Sequence, residues 1–181
     1  MPEDRKSERV QLLKGRGYRL QSPIVRRDFY HLLTAFLASR SLIALSDGQD
    51  DCPYWEVRDE FEESEITGLL ITTATRARIL EEDLRAFEKD RGLQLPKSPP
   101  VGTLVKNIAK PTPEEPLYLR EACNKILHAE LINFDRVNAK KPRKSYLKPK
   151  VYLYASRDRK TGWRAVLHVV EYVGVGLSLS S

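Results

Sequence analysis

The chain has 181 residues, of which 41% are hydrophobic and 31% charged, and its formal net charge is +6. This composition is typical of a chain that folds around a core, and the length fits one domain, 1–181. The sequence has no uninterrupted apolar run of about 18 residues, no apolar segment behind its charged N-terminus, and two cysteines. We therefore expect no transmembrane helix, secretory signal, disulfide framework or cysteine-rich zinc site, and a cytoplasmic location.

Two long helices are predicted in the first half of the chain. Residues 1–20 are charged and contain two glycines, so we expect a partly irregular arm there. Ser22 and Pro23 favour a helix start, and apolar residues at helical spacing extend the helix to Asp47. A second apolar stripe predicts a longer helix over 55–91. We expect an antiparallel pair that packs through Phe29, Leu33, Phe36, Leu37, Leu69, Leu70, Leu80 and Leu84.

The next segment is interrupted by proline. Residues 93–116 contain six prolines, which break any long element, and we expect no more than a short helical turn over 103–108. Thr112 and Glu115 have the spacing of a capping box. This pair predicts a third, shorter helix over 112–129.

The last third of the sequence changes from helical periodicity to alternation. Val151, Leu153 and Ala155 alternate with Tyr152 and Tyr154, which predicts a strand over 151–155. We expect the returning strand over 163–172 and a further strand over 131–134. The strands over 151–155 and 163–172 are joined by a polar hairpin loop. We predict an α+β fold. It is mainly a helical bundle (21–130) of two long antiparallel helices plus a shorter third, followed by a small C-terminal antiparallel sheet with a basic loop (131–181).

Charge is concentrated in two stretches. Residues 47–65 hold nine acids and one arginine, whereas residues 136–160 hold ten basic residues and one acid, a net charge of +9. Lysine and arginine neutralise phosphates, and the interleaved Tyr146, Tyr152 and Tyr154 can stack on bases. The basic stretch therefore predicts a nucleic-acid surface carried by Lys140, Lys141, Arg143, Lys144 and Lys148. A solvated loop with tyrosines packed against the sheet or the core is the open alternative.

The predicted third helix carries a candidate catalytic set. Arg120, Asn124 and His128 recur every four residues, so they form one stripe beside the apolar face. Arginine stabilises phosphate charge, histidine exchanges protons near neutral pH, and an amide can orient either partner. Metal-free RNA cleavage needs these functions at the 2′-hydroxyl, the phosphorane and the leaving oxygen. The open alternative is structural, with His128 at the helix C-terminus and Arg120 and Asn124 solvated or bonded to neighbours.

The segment Asn-Lys-Ile-Leu-His at 124–128, with Arg120 one turn earlier, resembles the signature helix of the HEPN superfamily. Many members are metal-independent endoribonucleases of toxin–antitoxin, abortive-infection and CRISPR-linked systems, and they typically dimerise with their motifs facing each other. The resemblance implies an RNA-cleaving homodimer of defence type, or a degenerate RNA-binding relative. Seven residues separate Arg120 from His128, more than the family motif has. Arg26 and His31 also meet the family spacing, and one such chance match is expected.

The other chemical motifs point to no cofactor. The sequence has no P-loop, no dinucleotide fingerprint and no nucleophile elbow, and we expect neither a cofactor nor a bound metal. The alternative to a ribonuclease is a non-enzymatic module of mobile-element origin that binds nucleic acid or protein. RNA or another nucleic acid is the expected partner, with no role for a membrane.

Overall fold

A computed structural model describes residues 22–46, 52–91, 98–110, 113–138, 140, 144–158 and 161–179. In chain order the elements are α1 (Ser22–Ser46), α2 (Pro53–Arg91), β1 (Gly102–Val105), β2 (Glu115–Leu117), α3 (Leu119–Leu127), β3 (Leu131–Val137), β4 (Tyr146–Asp158), β5 (Thr161–His168) and α4 (Val169–Leu179). The fold is α+β, as predicted. Within the described residues, more of the chain lies in helices than in strands.

The strands form one five-stranded antiparallel sheet in the order β2-β1-β5-β4-β3. Strand β3 and the β4–β5 hairpin confirm the predicted strands, with different ends. The helical turn predicted over 103–108 is wrong, because this segment begins with strand β1. Gly102 permits the pairing of β1 with β5, since a Cβ at this position would collide with the Val166 carbonyl. Strand β1 has four residues, too few to show a periodic pattern in the sequence. Its partner β5 lies far along the chain, so the local sequence does not indicate the pairing.

The third helix is shorter than predicted. It begins at Leu119, and Glu115 lies in β2, so the predicted capping box is wrong; Thr112 lies outside the described residues. Tyr118 occupies the N-cap without a side-chain hydrogen bond. The apolar side of α3 is nevertheless the predicted one, with Leu119, Ala122, Cys123 and Ile126 buried.

The two long helices match the predicted ranges to within two residues at each end. An ion pair joins Asp28 near the start of α1 to Arg76 in the second half of α2. Phe29 and Leu70 are fully buried. Leu37 is 58% exposed, so the packing predicted for it is wrong.

A fourth helix follows β5 directly. The strand predicted over 163–172 is correct up to His168 and wrong beyond it, because α4 begins at Val169. Its valines favour strand by propensity, but α4 packs among the other three helices and is therefore apolar on most sides. Tyr172 is fully buried edge-to-face against Phe29, with ring centroids 5.4 Å apart. Gly176 contacts the same ring, where a methyl group would overlap it.

The four helices and one face of the sheet share a single hydrophobic core. Across the described ranges, every helix is too short or too polar to cross a lipid bilayer.

Candidate nucleic-acid interface

The two faces of the sheet differ in chemistry, because alternate residues of a strand point to opposite sides. Leu153 and Ala165, paired across β4 and β5, are fully buried in the core beneath the helices. On the opposite face, which we call the open face, Val105 and Val166 are covered but do not belong to that core. Their neighbours Tyr152, Tyr154 and Arg164 are half-buried. The open face therefore lies outside the packing that holds the helices on the sheet.

The strand registers arrange the side chains of the open face in rows. From β3 through β4 to β5, the rows are Leu131–Tyr154–Arg164, then Asn133–Tyr152–Val166, and on β4 and β5 alone Lys150–His168. Two tyrosines thus stand next to each other on β4. Arg164 lies beside Tyr154 and Lys150 precedes Tyr152 on the same side of the strand, while Leu131, Asn133 and Val166 occupy the other adjacent positions. We call Lys150, Tyr152, Tyr154, Arg164 and His168 the tyrosine platform.

The spacing of the tyrosines limits what can stack on them. Tyr152 and Tyr154 are two residues apart on β4, which corresponds to about 6.6–6.8 Å along the strand. Bases within one strand of a duplex are about 3.4 Å apart. Neighbouring bases can therefore occupy both rings only in an extended, unstacked strand, the form in which single-stranded nucleic acid binds aromatic surfaces.

The cations around the tyrosines differ in availability. Arg164 donates a hydrogen bond to Glu114 at 2.9 Å and keeps 40% of its side chain exposed. Lys148 lies 3.4 Å from Asp135 and is 47% exposed. Within the described part of the chain, Lys150 has no ion-pair partner. Lys150 is thus the platform cation with the least competition for a phosphate.

The predicted basic residues lie partly beside this platform. Lys140, Lys144 and Lys148 are exposed, as a nucleic-acid surface requires. Lys148 lies on β4 two residues before Lys150 and on the same side of the strand. Lys141 and Arg143 fall outside the described residues. The three described lysines therefore extend the positive charge of the platform towards the loop before β4.

Tyr146 and Arg136, also in the basic stretch, contact residues of α1 and α2 instead of the platform. Tyr146 lies under the guanidinium of Arg40 at 5.7 Å, away from the platform. Arg136 binds Glu62 at 3.1 Å and Glu63 at 2.7 Å, so the acidic and basic stretches pair with each other here.

Arg58 joins the same cluster from α2. Its side chain is buried and donates to the Ser145 carbonyl just before β4. Burial lowers the pKa of Arg58, an effect that Glu62 opposes and Arg136 reinforces. Arg58, the one arginine of the acidic stretch, thus attaches α2 to the start of β4. In the part of the chain that the structure describes, no group of three or more histidines, cysteines and carboxylates is placed to hold a metal.

The candidate catalytic residues lie along α3 and at its end, in different surroundings. Arg120 reaches α2, with its guanidinium 3.2 Å from Glu82 and 3.8 Å from Glu81. His128 is exposed at the C-cap, and its backbone N–H donates to the Asn124 carbonyl at 3.0 Å. The helix therefore carries all three on successive turns, while the charge of Arg120 is shared with two carboxylates.

The buried side of α3 holds a thiol with a structural environment. Cys123 is 1% exposed, and its sulfur lies 3.9 Å from the Tyr172 hydroxyl, which in turn lies 3.4 Å from Thr73. Burial raises the pKa of the Cys123 thiol to about 12, so the group stays protonated at neutral pH. A protonated, buried thiol is neither a nucleophile nor a metal ligand.

Three platform residues, Lys150, Arg164 and His168, are not among the site residues predicted from the sequence, and the last two lie on β5. Their signal is the alternation of β5, where the buried Trp163, Ala165 and Leu167 leave the residues between them on the other side. That alternation predicts strand β5 but does not predict which strands pair with it. Only the register of β5 against β4 sets Arg164 beside Tyr154 and His168 beside Lys150.

Comparison with known proteins adds no relative. The chain matches no protein-family model, and no curated protein or solved structure shows significant similarity to it.

Proposed function

We propose that the chain binds single-stranded nucleic acid, RNA foremost, on the tyrosine platform. The observation that carries this proposal is the juxtaposition of Tyr152 and Tyr154 with Lys150, Arg164 and His168 on a sheet face outside the helical core. The rings offer two stacking positions, and the flanking groups offer contacts to the phosphates on either side. The exposed lysines at 140, 144 and 148 continue the path of the backbone.

Stacking accounts for most of the expected selectivity for single strands. Each base stacked on an aromatic side chain contributes about 1–3 kcal/mol, and any base can stack. A duplex keeps its bases paired inside and can use only the phosphate contacts. Single strands should therefore bind more tightly than a duplex of the same sequence, with little sequence preference.

The test is fluorescence anisotropy of a short labelled RNA with the full chain and with Tyr152→Leu and Tyr154→Leu. Leucine keeps an apolar side chain on the strand but removes the stacking ring, so each variant should weaken binding by about 5- to 150-fold. Tyr152→Phe keeps the ring and should bind as the parent does. Tyr30→Leu is the matched control, because Tyr30 is a 62% exposed tyrosine on α1. Equal binding by Tyr152→Leu, Tyr154→Leu and Tyr30→Leu would remove the platform as the site.

The phosphate contacts are tested separately by salt dependence. Replacing Lys150 with glutamine should lower the slope of log affinity against log salt by about 0.7, the value for one phosphate contact on a single strand. Joint replacement of Lys140, Lys141, Arg143 and Lys144 should lower the slope further. If all variants keep the parental slope, the basic residues do not contact the RNA backbone.

The second candidate function is the metal-independent endoribonuclease that the HEPN resemblance implies, of a defence or toxin–antitoxin type. One observation favours it. His128 is exposed two residues before Glu130, whose backbone N–H donates to the Tyr154 carbonyl at 2.8 Å. RNA lying across Tyr154 therefore passes the end of α3, where a histidine can exchange protons with a 2′-hydroxyl or a leaving oxygen. Arg120 would have to leave Glu81 and Glu82 to stabilise the phosphorane.

Cleavage of labelled RNA tests this second candidate. His128→Ala should lower the rate by about 10²–10⁴-fold, the usual contribution of general acid–base catalysis. Activity should survive EDTA and give 2′,3′-cyclic phosphate ends. His31→Ala is the control, since His31 is an exposed histidine on α1. An inactive parent that still binds RNA through Tyr152 and Tyr154 would eliminate the nuclease and leave the binding function standing.

A further inference from the structure

One side of α2 is exposed and apolar or small along most of its length. Val57 is 57% exposed, Phe61 52% and Ile71 44%, and an added Cβ at Gly68 would meet no atom within 4 Å. We define the α2 stripe as Tyr54, Val57, Phe61, Ser64, Gly68, Ile71, Thr75 and Arg78. Around Ser64 and Gly68 the stripe lies on the opposite side of α2 from the buried residues Ile66 and Leu70.

The spacing of the stripe is that of a helix-pairing seam. From Tyr54 to Arg78 its members recur at intervals of three and four residues, and most positions repeat after seven. A seven-residue repeat keeps one seam facing a partner helix along its length. The stripe from 54 to 78 is about 36 Å long at 1.5 Å per residue, long enough for several contact layers.

We propose that the α2 stripe is a two-fold interface on which a second copy of this chain packs its own α2 in antiparallel orientation. The register that overlaps the two stripes most completely gives four kinds of contact layer. They pair Ser64 with the partner's Gly68, Phe61 with the partner's Ile71, Val57 with the partner's Thr75, and Tyr54 with the partner's Arg78. Each layer occurs twice, as a two-fold axis requires.

Side-chain size supports this register. Ser64 and Gly68 are the smallest residues of the stripe, and they fall beside the two-fold axis, where they permit close approach of the helix backbones. Phe61 then meets an exposed isoleucine in the next layer. At the ends, the exposed ring of Tyr54 faces the partner's Arg78, a pairing that favours a cation over an aromatic face.

Charge selects the antiparallel orientation and a second copy as the occupant. Residues 53–65 of α2 contain six acids and one arginine, a net charge of −5. Residues 67–79 contain no acid, and their two arginines, Arg76 and Arg78, already pair with Asp28 and Glu82. The antiparallel register therefore sets each acidic segment against a segment without acids. A parallel register would instead set −5 against −5, which is unfavourable at this separation.

This inference goes beyond the proposed RNA binding and does not depend on it. The contact uses α2, whereas the tyrosine platform lies on β4 and β5 and the HEPN-like segment lies on α3.

The oligomeric state of the full chain tests the proposal. Sedimentation velocity should show a monomer–dimer equilibrium. Phe61→Glu should raise the dimer dissociation constant at least about tenfold, as loss of an aromatic anchor costs more than about 1.4 kcal/mol. Leu37→Glu is the control, a substitution at an exposed leucine on α1, and should leave the equilibrium unchanged. A parent that stays monomeric at hundreds of micromolar, or equal effects of both variants, would overturn the proposal.

Cysteine cross-linking tests the orientation without relying on a disruptive variant. The native Cys52 and Cys123 are both buried, so engineered exposed cysteines dominate oxidation. A mixture of Val57→Cys and Thr75→Cys chains should form a disulfide heterodimer, while each variant alone should not. Cross-linking of Val57→Cys with itself would show a parallel contact, and no cross-link in the mixture would overturn the proposed antiparallel register.

Discussion

Two glycines on α4, Gly174 and Gly176, offer a controlled test of the packing beneath the sheet. The helix is the same and the substitution, glycine to alanine, is the same, but the surroundings differ. At Gly176 the new methyl group would overlap the ring of Phe29, which is itself fully buried against Tyr172. At Gly174 it would meet no atom within 4 Å.

The expected effects therefore have opposite signs. Alanine in a helix interior is favoured over glycine by about 0.8–1.0 kcal/mol, so Gly174→Ala should stabilise the chain by about that amount. Gly176→Ala gains the same propensity but must displace a buried aromatic ring, and overpacking of this kind has a net cost of about 1–3 kcal/mol. Because about 1 kcal/mol shifts the melting temperature by about 2–4 °C for a chain of this size, the two variants should melt several degrees apart.

Differential scanning calorimetry or urea denaturation at neutral pH measures both variants against the parent. A smaller side chain at residue 29 supplies a further check, since Phe29→Leu combined with Gly176→Ala should recover part of the loss. Equal stability of the two alanine variants would refute the placement of α4 against α1.

The remaining stability predictions concern the core and its buried polar groups. Leu70→Ala should cost about 2–5 kcal/mol in a denaturant melt, whereas Leu37→Ala, at a largely exposed position, should stay within about 0.5 kcal/mol. Tyr172→Phe should cost no more than about 0.5–1.5 kcal/mol, because the Thr73 hydroxyl keeps its hydrogen bonds to backbone carbonyls. Burial raises the pKa of the Cys123 thiol to about 12, whereas the pKa of the same thiol in the unfolded chain is about 8.5. Below about pH 8.5 the thiol is protonated in both states, so the buried Cys123 contributes its full stabilisation there. That contribution should fall above this value by up to about 1.4 kcal/mol per pH unit, and Cys123→Ala should remove this part of the alkaline loss.

The sequence predicts the elements whose periodicity is long and unambiguous. Both long helices and the β4–β5 hairpin follow from apolar spacing. The structure has the helices close to the predicted ranges and the hairpin strands with different ends. The wrong predictions have a common physical cause, because in each case the elements packed against the segment determine its conformation. Gly102–Val105 is a strand because β5 pairs with it, and Val169–Leu179 is a helix because three other helices surround it. Neither neighbour is visible in the local pattern.

The candidate sites show the same division. The sequence supplied the residue types of the platform, including Tyr152, Tyr154 and the surrounding lysines, but not the side of the sheet on which they meet. It also gave the stripe of Arg120, Asn124 and His128 on α3. The sequence pattern does not reveal that the α2 carboxylates bind Arg120, because Glu82 lies 38 residues before Arg120 in the chain.

The most direct test of the central claim is to map where RNA contacts the chain. A photoreactive single-stranded RNA should be cross-linked to the full-length protein, and the attachment sites located by mass spectrometry. The tyrosine platform predicts that cross-links concentrate on the β4 peptide that contains Tyr152 and Tyr154, and that a single-stranded competitor removes them more effectively than a duplex. Cross-links that map to α1 or α2 and leave β4 unlabelled would contradict the account.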